Sequence, residues 1–255
     1  MKIIKITVSF LLVLGIIVLL IWTALKSNDQ NCTEISVVIH APEKSELLTE
    51  SDVLNILKHH NISWEGKTIK EIKLPTIHKI LTQENYIKTV DKLLFLGSKL
   101  HIEVTLYDIL LKVEPTGGQK FLVDVDGGYL PYSPKAGNDI IFATGFIPNT
   151  FQKNEKIDSD NNALYELYSI ASLIKADPFY SDLFHELQVN DNHEIILIPS
   201  VGNLPVRFGN IQDAENKLKT LKYMYKEVLP YMDENTYTQL DVRFKNRIVA
   251  TKTKS

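Results

Sequence analysis

The chain begins with an apolar run that differs from the rest of its pattern. Residues 6–25 contain no charge, and their only polar side chains are Thr7, Ser9 and Thr23. A helix of about 20 residues spans about 30 Å, the thickness of a bilayer core, whereas the apolar core of a cleaved signal peptide has roughly 7–15 residues. No convincing small-x-small cleavage site follows the run. We therefore predict an uncleaved transmembrane helix over 6–25.

Basic residues on the N-terminal side of this run predict its orientation. Lys2 and Lys5 precede the run, and behind it Lys26 is followed by acidic residues. Short flanking segments rich in Lys and Arg stay in the cytoplasm. We expect a cytoplasmic tail over 1–5, a linker over 26–32, and all later residues outside the cytoplasmic membrane.

A first exported module is predicted over residues 33–106. Lys99 to Leu106 alternates polar and apolar residues at every step, which is typical of a half-buried strand. Thr49, with Asp52 three positions later, predicts a helix N-cap, and Pro75 is tolerated in the first turn of a second helix. The predicted elements are a strand over 34–40, a helix from Thr49, a helix from Leu74, a strand over 85–90 and a strand over 99–106.

A second module with a different pattern follows Val113. Short apolar stretches are separated by clusters of Gly, Pro, Asn and Asp, as expected for strands and turns. Two longer stretches, 161–176 and 212–229, have apolar residues at helical spacing. We predict a mostly antiparallel β domain with two helices over 107–250 and a flexible tail over 251–255. The fold class is then α+β with one N-terminal transmembrane helix.

The charge distribution excludes one class of partner. The chain has a net charge of -3, and three of its 28 Lys and Arg residues precede Asp29, the first acidic residue. The exported part is therefore more acidic than the whole chain, and nucleic-acid binding by counterion release needs a basic face. We expect no nucleic-acid partner. Cys32 is the only cysteine, which excludes an intramolecular disulfide and a zinc site built on two cysteines of this chain.

No catalytic or metal-binding spacing in the sequence is complete. His185-Glu186 begins like the zinc-protease motif H-E-x-x-H, but the next histidine, His193, is eight positions after His185. An Asp-Gly hairpin turn explains Asp124, Asp126 and Gly128 better than a calcium loop does. We therefore expect no catalytic residue, no metal, no cofactor and no small-molecule substrate.

The alternation near the end of the chain permits two interpretations. In a strand over Gln239 to Phe244, successive side chains face opposite sides of the sheet. The core-facing set is Leu240, Val242 and Phe244, and the outward set is Asp241, Arg243 and Lys245. An interior strand of a half-buried sheet fits this pattern. An edge strand also fits and is favoured, because the polar residues 245–247 break the alternation as edge strands do. Residues 248–250 would continue the strand.

Four segments resemble strands of the FtsQ/DivIB family of bacterial cell-division proteins. Asn85 to Val90 and Gly97 to Val104 are similar to two strands of its membrane-proximal module. Phe121 to Gly127 is similar to its "fyvD-dG" hairpin, and Asp241 to Phe244 to its terminal "vDlRy" strand. One departure is at 106–109, Leu-Tyr-Asp-Ile, where the family usually has an Arg-Glu-Pro corner.

The resemblance implies a POTRA module over 33–106, followed by the family's β domain. It implies a non-enzymatic scaffold in the cytoplasmic (inner) membrane at the division septum, which binds FtsB and FtsL and through them helps regulate septal peptidoglycan synthesis. Two other hypotheses remain at this point. One is an anchored extracytoplasmic hydrolase whose site is assembled from residues far apart in sequence. The other is a POTRA-bearing export or assembly factor.

The resemblance also places partner binding at the last strand. We predict that its free edge pairs with an extended segment of FtsB-like or FtsL-like partners. Phe244 stands where the family has a Tyr important for partner binding, so its contribution would be apolar contact. The predicted partner-binding residues are Leu240, Asp241, Val242, Arg243, Phe244, Lys245, Asn246 and Ile248.

Overall fold

The computed structural model describes most of the chain and divides it into two compact units. The described residues are 12–18, 30–42, 45–137, 140–148, 151–153, 155–158, 162–200, 202, 204–231, 236–245 and 247–252. The first unit runs to Pro42 and resumes at Leu48–Leu106, and the second contains the short segment before Leu48 and everything from Tyr107 onward.

The predicted transmembrane helix lies mostly outside the described residues. Of the run 6–25, residues 12–18 are described, and they are helical and exposed. Within the part of the chain that the structure describes, no helix is long and apolar enough to cross a membrane. The tail over 1–5 also lies outside that part.

From Gln30 onward, the described part of the first unit is a three-stranded sheet with two α-helices. Its elements are β1 Glu34–His40, α1 Glu50–His59, a 3-10 turn Ile69–Glu71, α2 Leu74–Thr82, β2 Ile87–Leu96 and β3 Lys99–Leu106. The strand order is β1-β3-β2, with β1 parallel and β2 antiparallel to β3. The β-α-α-β-β order agrees with the prediction. Cys32, in the predicted linker, is buried here, and its N–H donates to the carbonyl of Lys67 at 2.9 Å.

Local chemistry explains why two of these elements were predictable. The N–H of Thr49 donates to Oδ2 of Asp52 at 2.9 Å, and Oγ1 of Thr49 accepts from the N–H of Asp52 at 3.3 Å, which confirms the capping box. In β3 the alternate residues Leu100, Ile102 and Val104 are fully buried. By contrast, β2 extends six residues beyond the predicted end at Val90. Register shifts on this edge strand disrupt the alternation of its side chains, so the sequence pattern did not predict its full length.

The second unit contains a nine-stranded sheet. Its strands are β4 Ile109–Pro115, β5 Phe121–Asp124, β6 Tyr129–Pro131, β7 Ile141–Gly145, β8 Phe184–Val189, β9 Ile195–Pro199, β10 Val206–Gly209, β11 Tyr237–Asp241 and β12 Val249–Lys252. The order across the sheet is β12-β11-β10-β9-β8-β7-β4-β5-β6. Three neighbouring pairs, β4-β7, β7-β8 and β10-β11, are parallel, and the other five are antiparallel.

Helical crossovers connect two of the parallel pairs. The segment between β7 and β8 contains α3 Asn162–Lys175 and α4 Pro178–Leu183, and that between β10 and β11 contains α5 Ala214–Tyr223. α5 continues as a π-helix over Met224–Val228 and a 3-10 turn over Leu229–Tyr231. Apolar residues of α3 and α5 pack with residues of the sheet in one core; its members include Leu164, Leu167 and Ile170 of α3, Leu218 and Leu221 of α5, and Phe121, Leu187 and Phe208 of the strands.

The structure corrects the prediction in two places. The helix α4 was missed, although Asp177 is its N-cap and Pro178 its first residue, a combination that favours a helix start. The end of the chain was predicted as one strand and is instead a hairpin of β11 and β12. Thr251 and Lys252, assigned to a flexible tail, belong to β12.

Candidate partner-binding site

The predicted partner-binding residues fall on the hairpin between β11 and β12. Leu240 and Asp241 end β11, whereas Val242, Arg243 and Phe244 lie beyond it in a turn. The prediction that these three residues form an edge strand is therefore wrong. Lys245 is part of the same turn, Asn246 lies outside the described residues, and Ile248 precedes β12.

Asp241 explains why the strand ends where it does. Its Oδ1 accepts a hydrogen bond from the backbone N–H of Arg243 at 3.1 Å, and this short side-chain bond takes the place of a ladder bond. The carbonyl of Phe244 then accepts from the N–H of Arg247 at 3.3 Å, which turns the chain back towards β12. A turn forms where alternation alone predicted a continuing strand.

Burial separates the predicted residues into two groups. Leu240 and Val242 are in the core and Asp241 is buried, so their side chains are unavailable to a partner. Phe244, predicted to face the core, is instead 40% exposed, and Lys245 is exposed.

Charged side chains link the turn to two other strands. Nη1 of Arg243 donates to Oε1 of Glu194 at 2.5 Å, and Nη2 of Arg207 donates to Oε2 of the same carboxylate at 2.5 Å. On its other side, Arg243 donates through Nε and Nη2 to Asp241, at 3.0 and 2.7 Å. Glu194, the residue before β9, therefore joins β10 through Arg207 and the hairpin turn through Arg243.

The turn between β8 and β9 positions Glu194. Oδ1 of Asn190 accepts from the backbone N–H groups of Asn192 at 3.0 Å and Glu194 at 2.9 Å. His193 has a positive φ of 59°, which this tight turn requires. Neither Glu194 nor Arg207 was predicted as a site residue, because both pair with residues far along the chain.

The network changes the acidity of its members in one direction. Partial burial alone would raise the pKa of Glu194, but hydrogen bonds and charge from Arg207 and Arg243 lower it overall. In the same way, burial would raise the pKa of Asp241, and its bonds with Arg243 lower it below the ordinary range. Both carboxylates are therefore held in the charged form at neutral pH.

The ring of Phe244 lies among cations. The guanidinium carbon of Arg247 is 5.0 Å from the ring centroid and that of Arg243 is 5.9 Å, both within cation-π range. With Lys245 beside it, the turn presents an aromatic ring and positive charge to solvent.

A cleft of 660 Å³ opens beside the turn. The turn forms one wall, the loop of the β8-β9 hairpin a second, and the end of β10 with the start of α5 the remainder. Its lining includes four cations, Lys217, Arg243, Lys245 and Arg247, and two carboxylates, Glu194 and Asp213. Nζ of Lys217 is already bound to the carbonyls of Phe208 and Asn210, at 3.1 and 2.9 Å. The lining of the cleft is therefore locally positive, whereas the second unit as a whole is acidic.

The edge of the sheet lies next to this cleft. β12 pairs with β11 from Val249 opposite Asp241 to Lys252 opposite Tyr237. Among the described residues no strand pairs with its other side. Val249 is 42% exposed, and Thr251 and Lys252 are exposed, whereas Ala250 packs against the core. The free edge that was predicted for Val242–Phe244 is thus formed by β12 instead.

The catalytic candidates are not brought together. His185 and Glu186 are successive residues of β8 at a register shift of the strand. His185 is exposed, and Oε1 of Glu186 accepts from Oγ1 of Thr144 at 2.7 Å. His193 lies in the hairpin loop that follows. Across the described ranges, no group of three or more His, Cys, Asp or Glu side chains could hold a metal ion.

Comparison with known proteins identifies both units. Residues 110–251 match the family model described as FtsQ/DivIB, C-terminal related, and residues 30–105 match the one described as POTRA-like domain. No curated protein matches the chain.

Proposed function

The chain belongs to the FtsQ/DivIB family, and on that basis we propose that it is a non-enzymatic, single-pass membrane scaffold of the bacterial division machinery. Residues 6–25 would anchor it in the cytoplasmic membrane at the septum, with the N-terminus inside and both units outside. Through FtsB-like and FtsL-like partners it would help control septal peptidoglycan synthesis.

The observation that carries the proposal is the exposed edge of β12 beside a cationic turn. An edge strand offers unpaired N–H and C=O groups to an extended segment of another chain. Phe244, Lys245 and Arg247 lie at one end of this edge and favour a partner segment with acidic residues. We propose that the partner adds a strand to β12, outside the nine strands already present.

Proline substitution tests this docking edge. Backbone donors alternate between the two sides of a strand, so of Ala250→Pro and Thr251→Pro one removes a bond to β11 and the other removes a bond to the partner. We expect the variant that loses the bond to β11 to have a lower thermal stability. The variant that loses the bond to the partner should remain folded and should bind the FtsB-like and FtsL-like proteins of the same bacterium at least about tenfold more weakly.

The control is Thr251→Ala, which changes the side chain but keeps the N–H, and should bind within about twofold of the wild type. Binding is measured with full-length protein in lipid nanodiscs. If both proline variants stay folded and bind with wild-type affinity, β12 is not the docking edge.

A further inference from the structure

Glu194 holds the C-terminal turn from a distant part of the sequence. Arg243 is 49 positions from Glu194, and Arg207 is 13. One carboxylate binds two guanidinium groups, each through a different oxygen, and both arginines are about one-third exposed. Such charge-assisted bonds are short and directional, so they fix the position of Arg243 relative to β9 and β10.

Arg243 has limited capacity for a further carboxylate. All three nitrogens of its guanidinium are engaged, Nε and Nη2 by Asp241 and Nη1 by Glu194, which leaves one further N–H on each of Nη1 and Nη2. These contacts raise the pKa of its guanidinium above the ordinary value. An acidic partner residue would have to share Nη1 or Nη2 with a carboxylate that is already bound. The neighbouring Lys245 is exposed and makes no described ion pair.

We infer that Glu194 is a positioning residue for partner recognition, and that Arg243 braces the turn instead of binding the partner. The inference rests on the proposed function of the β12 edge. By holding Arg243, Glu194 fixes the backbone of the turn and so the direction in which Phe244 and Lys245 are presented. The residues that contact the partner are then Phe244, Lys245 and the main chain of β12.

A bracing role and a direct-contact role for Arg243 predict opposite changes in partner affinity when Glu194 loses its charge. If Arg243 bound an acidic partner, removing the charge of Glu194 would free it and strengthen binding. If Glu194 is the brace, the same change weakens binding, although the site becomes more positive. The sign of the effect therefore separates the two roles.

The test is a double-mutant cycle with Glu194→Gln and Arg243→Lys. Gln keeps the size but loses the charge, and Lys keeps the charge but loses the fork that reaches two carboxylates. The titrated partner is the purified FtsB-like protein of the same bacterium. We expect each single variant to bind about tenfold more weakly, and the double variant to bind about as weakly as either one, because both changes break one contact.

Salt dependence gives an independent readout. Arg243→Lys keeps the charge and should not change the slope of affinity against NaCl concentration, whereas Lys245→Gln should reduce it. Glu103→Gln is the matched control, because it removes an ion-paired carboxylate in the other unit. It should bind like the wild type.

Two results would overturn the inference. The first is that folded Glu194→Gln binds the partner as tightly as the wild type or more tightly. The second is that Arg243→Lys keeps wild-type affinity and the changes in binding free energy of the two single variants add up in the double variant. If Lys245→Gln and the β12 proline variants weaken binding while Glu194→Gln does not, only this inference fails. If those variants also bind like the wild type, the proposed docking edge fails as well.

Discussion

Gly209 and the side chain of Arg243 lie so close that no β-carbon fits between them. A β-carbon built on Gly209 would lie 2.9 Å from Cγ of Arg243 and 3.0 Å from Cδ. Gly209 also has a φ of 84°, in the left-handed region that favours glycine. The end of β10 thus leaves space for the aliphatic part of Arg243 to pass on its way to Glu194.

Gly209→Ala is therefore expected to destabilise the second unit. The left-handed backbone costs about 1–2 kcal/mol and the close contact about 1–3 kcal/mol, so the free energy of unfolding should fall by a few kcal/mol. Urea denaturation measures it. Gly117→Ala is the matched control: its φ is 72° but nothing lies within 4 Å of the added carbon, so only the backbone cost of about 1–2 kcal/mol applies. Equal losses in the two variants would contradict the close contact.

The network should contribute stability that depends on pH. Because the pKa of Glu194 is lowered by folding, its contribution is present above the carboxyl pKa of the unfolded chain, about 4, and is lost as the pH falls through the lower folded value. Unfolding free energies of the wild type and Glu194→Gln should differ most near pH 7 and converge towards pH 3. Glu215→Gln, an exposed change on α5, controls for the loss of one acid. A difference that grows on acidification would contradict the assignment.

The catalytic alternative predicts a different outcome for β8. We expect His185→Ala combined with Glu186→Gln to support normal cell division, because His185 is exposed and the carboxylate of Glu186 is already bound to Thr144. Complementation of a depletion strain measures this, with immunoblotting and localisation as controls for amount and position. Loss of division by a stable, correctly localised variant would support an enzyme.

The anchor prediction is tested on the mature protein. We expect its N-terminal sequence to start at or next to Met1, and protease added outside the membrane to digest all but a small N-terminal fragment. Both follow from an apolar run of membrane-spanning length with Lys2 and Lys5 before it. A mature N-terminus after Ala24 would show that the run is a cleaved signal.

Local patterns predicted most elements of the first unit correctly. The bounds of β1 and β3 were correct because each strand is flanked by turn residues, and the alternation of β3 reflects one buried face. The start of α1 was correct because Thr49 and Asp52 satisfy each other's backbone groups within four residues.

The hairpin and the cleft depend on contacts that local patterns do not contain. Alternation of Leu240, Val242 and Phe244 predicted a continuous strand, but Asp241 captures the N–H of Arg243 and ends it. Asp241 and the three polar residues over 245–247 were the available signal for a turn. No comparable signal linked Glu194 to Arg207 and Arg243, because their proximity follows from the order of strands in the sheet.

Site-specific photo-cross-linking in living cells tests the docking edge most directly. A photoreactive amino acid replaces Thr251 on β12 in one strain and Lys120, an exposed residue next to β5 near the opposite edge of the sheet, in another. We expect the Thr251 variant to capture the FtsB-like or FtsL-like protein and the Lys120 variant not to capture it. Capture from Lys120 but not from Thr251, with both proteins present at normal levels, would contradict it.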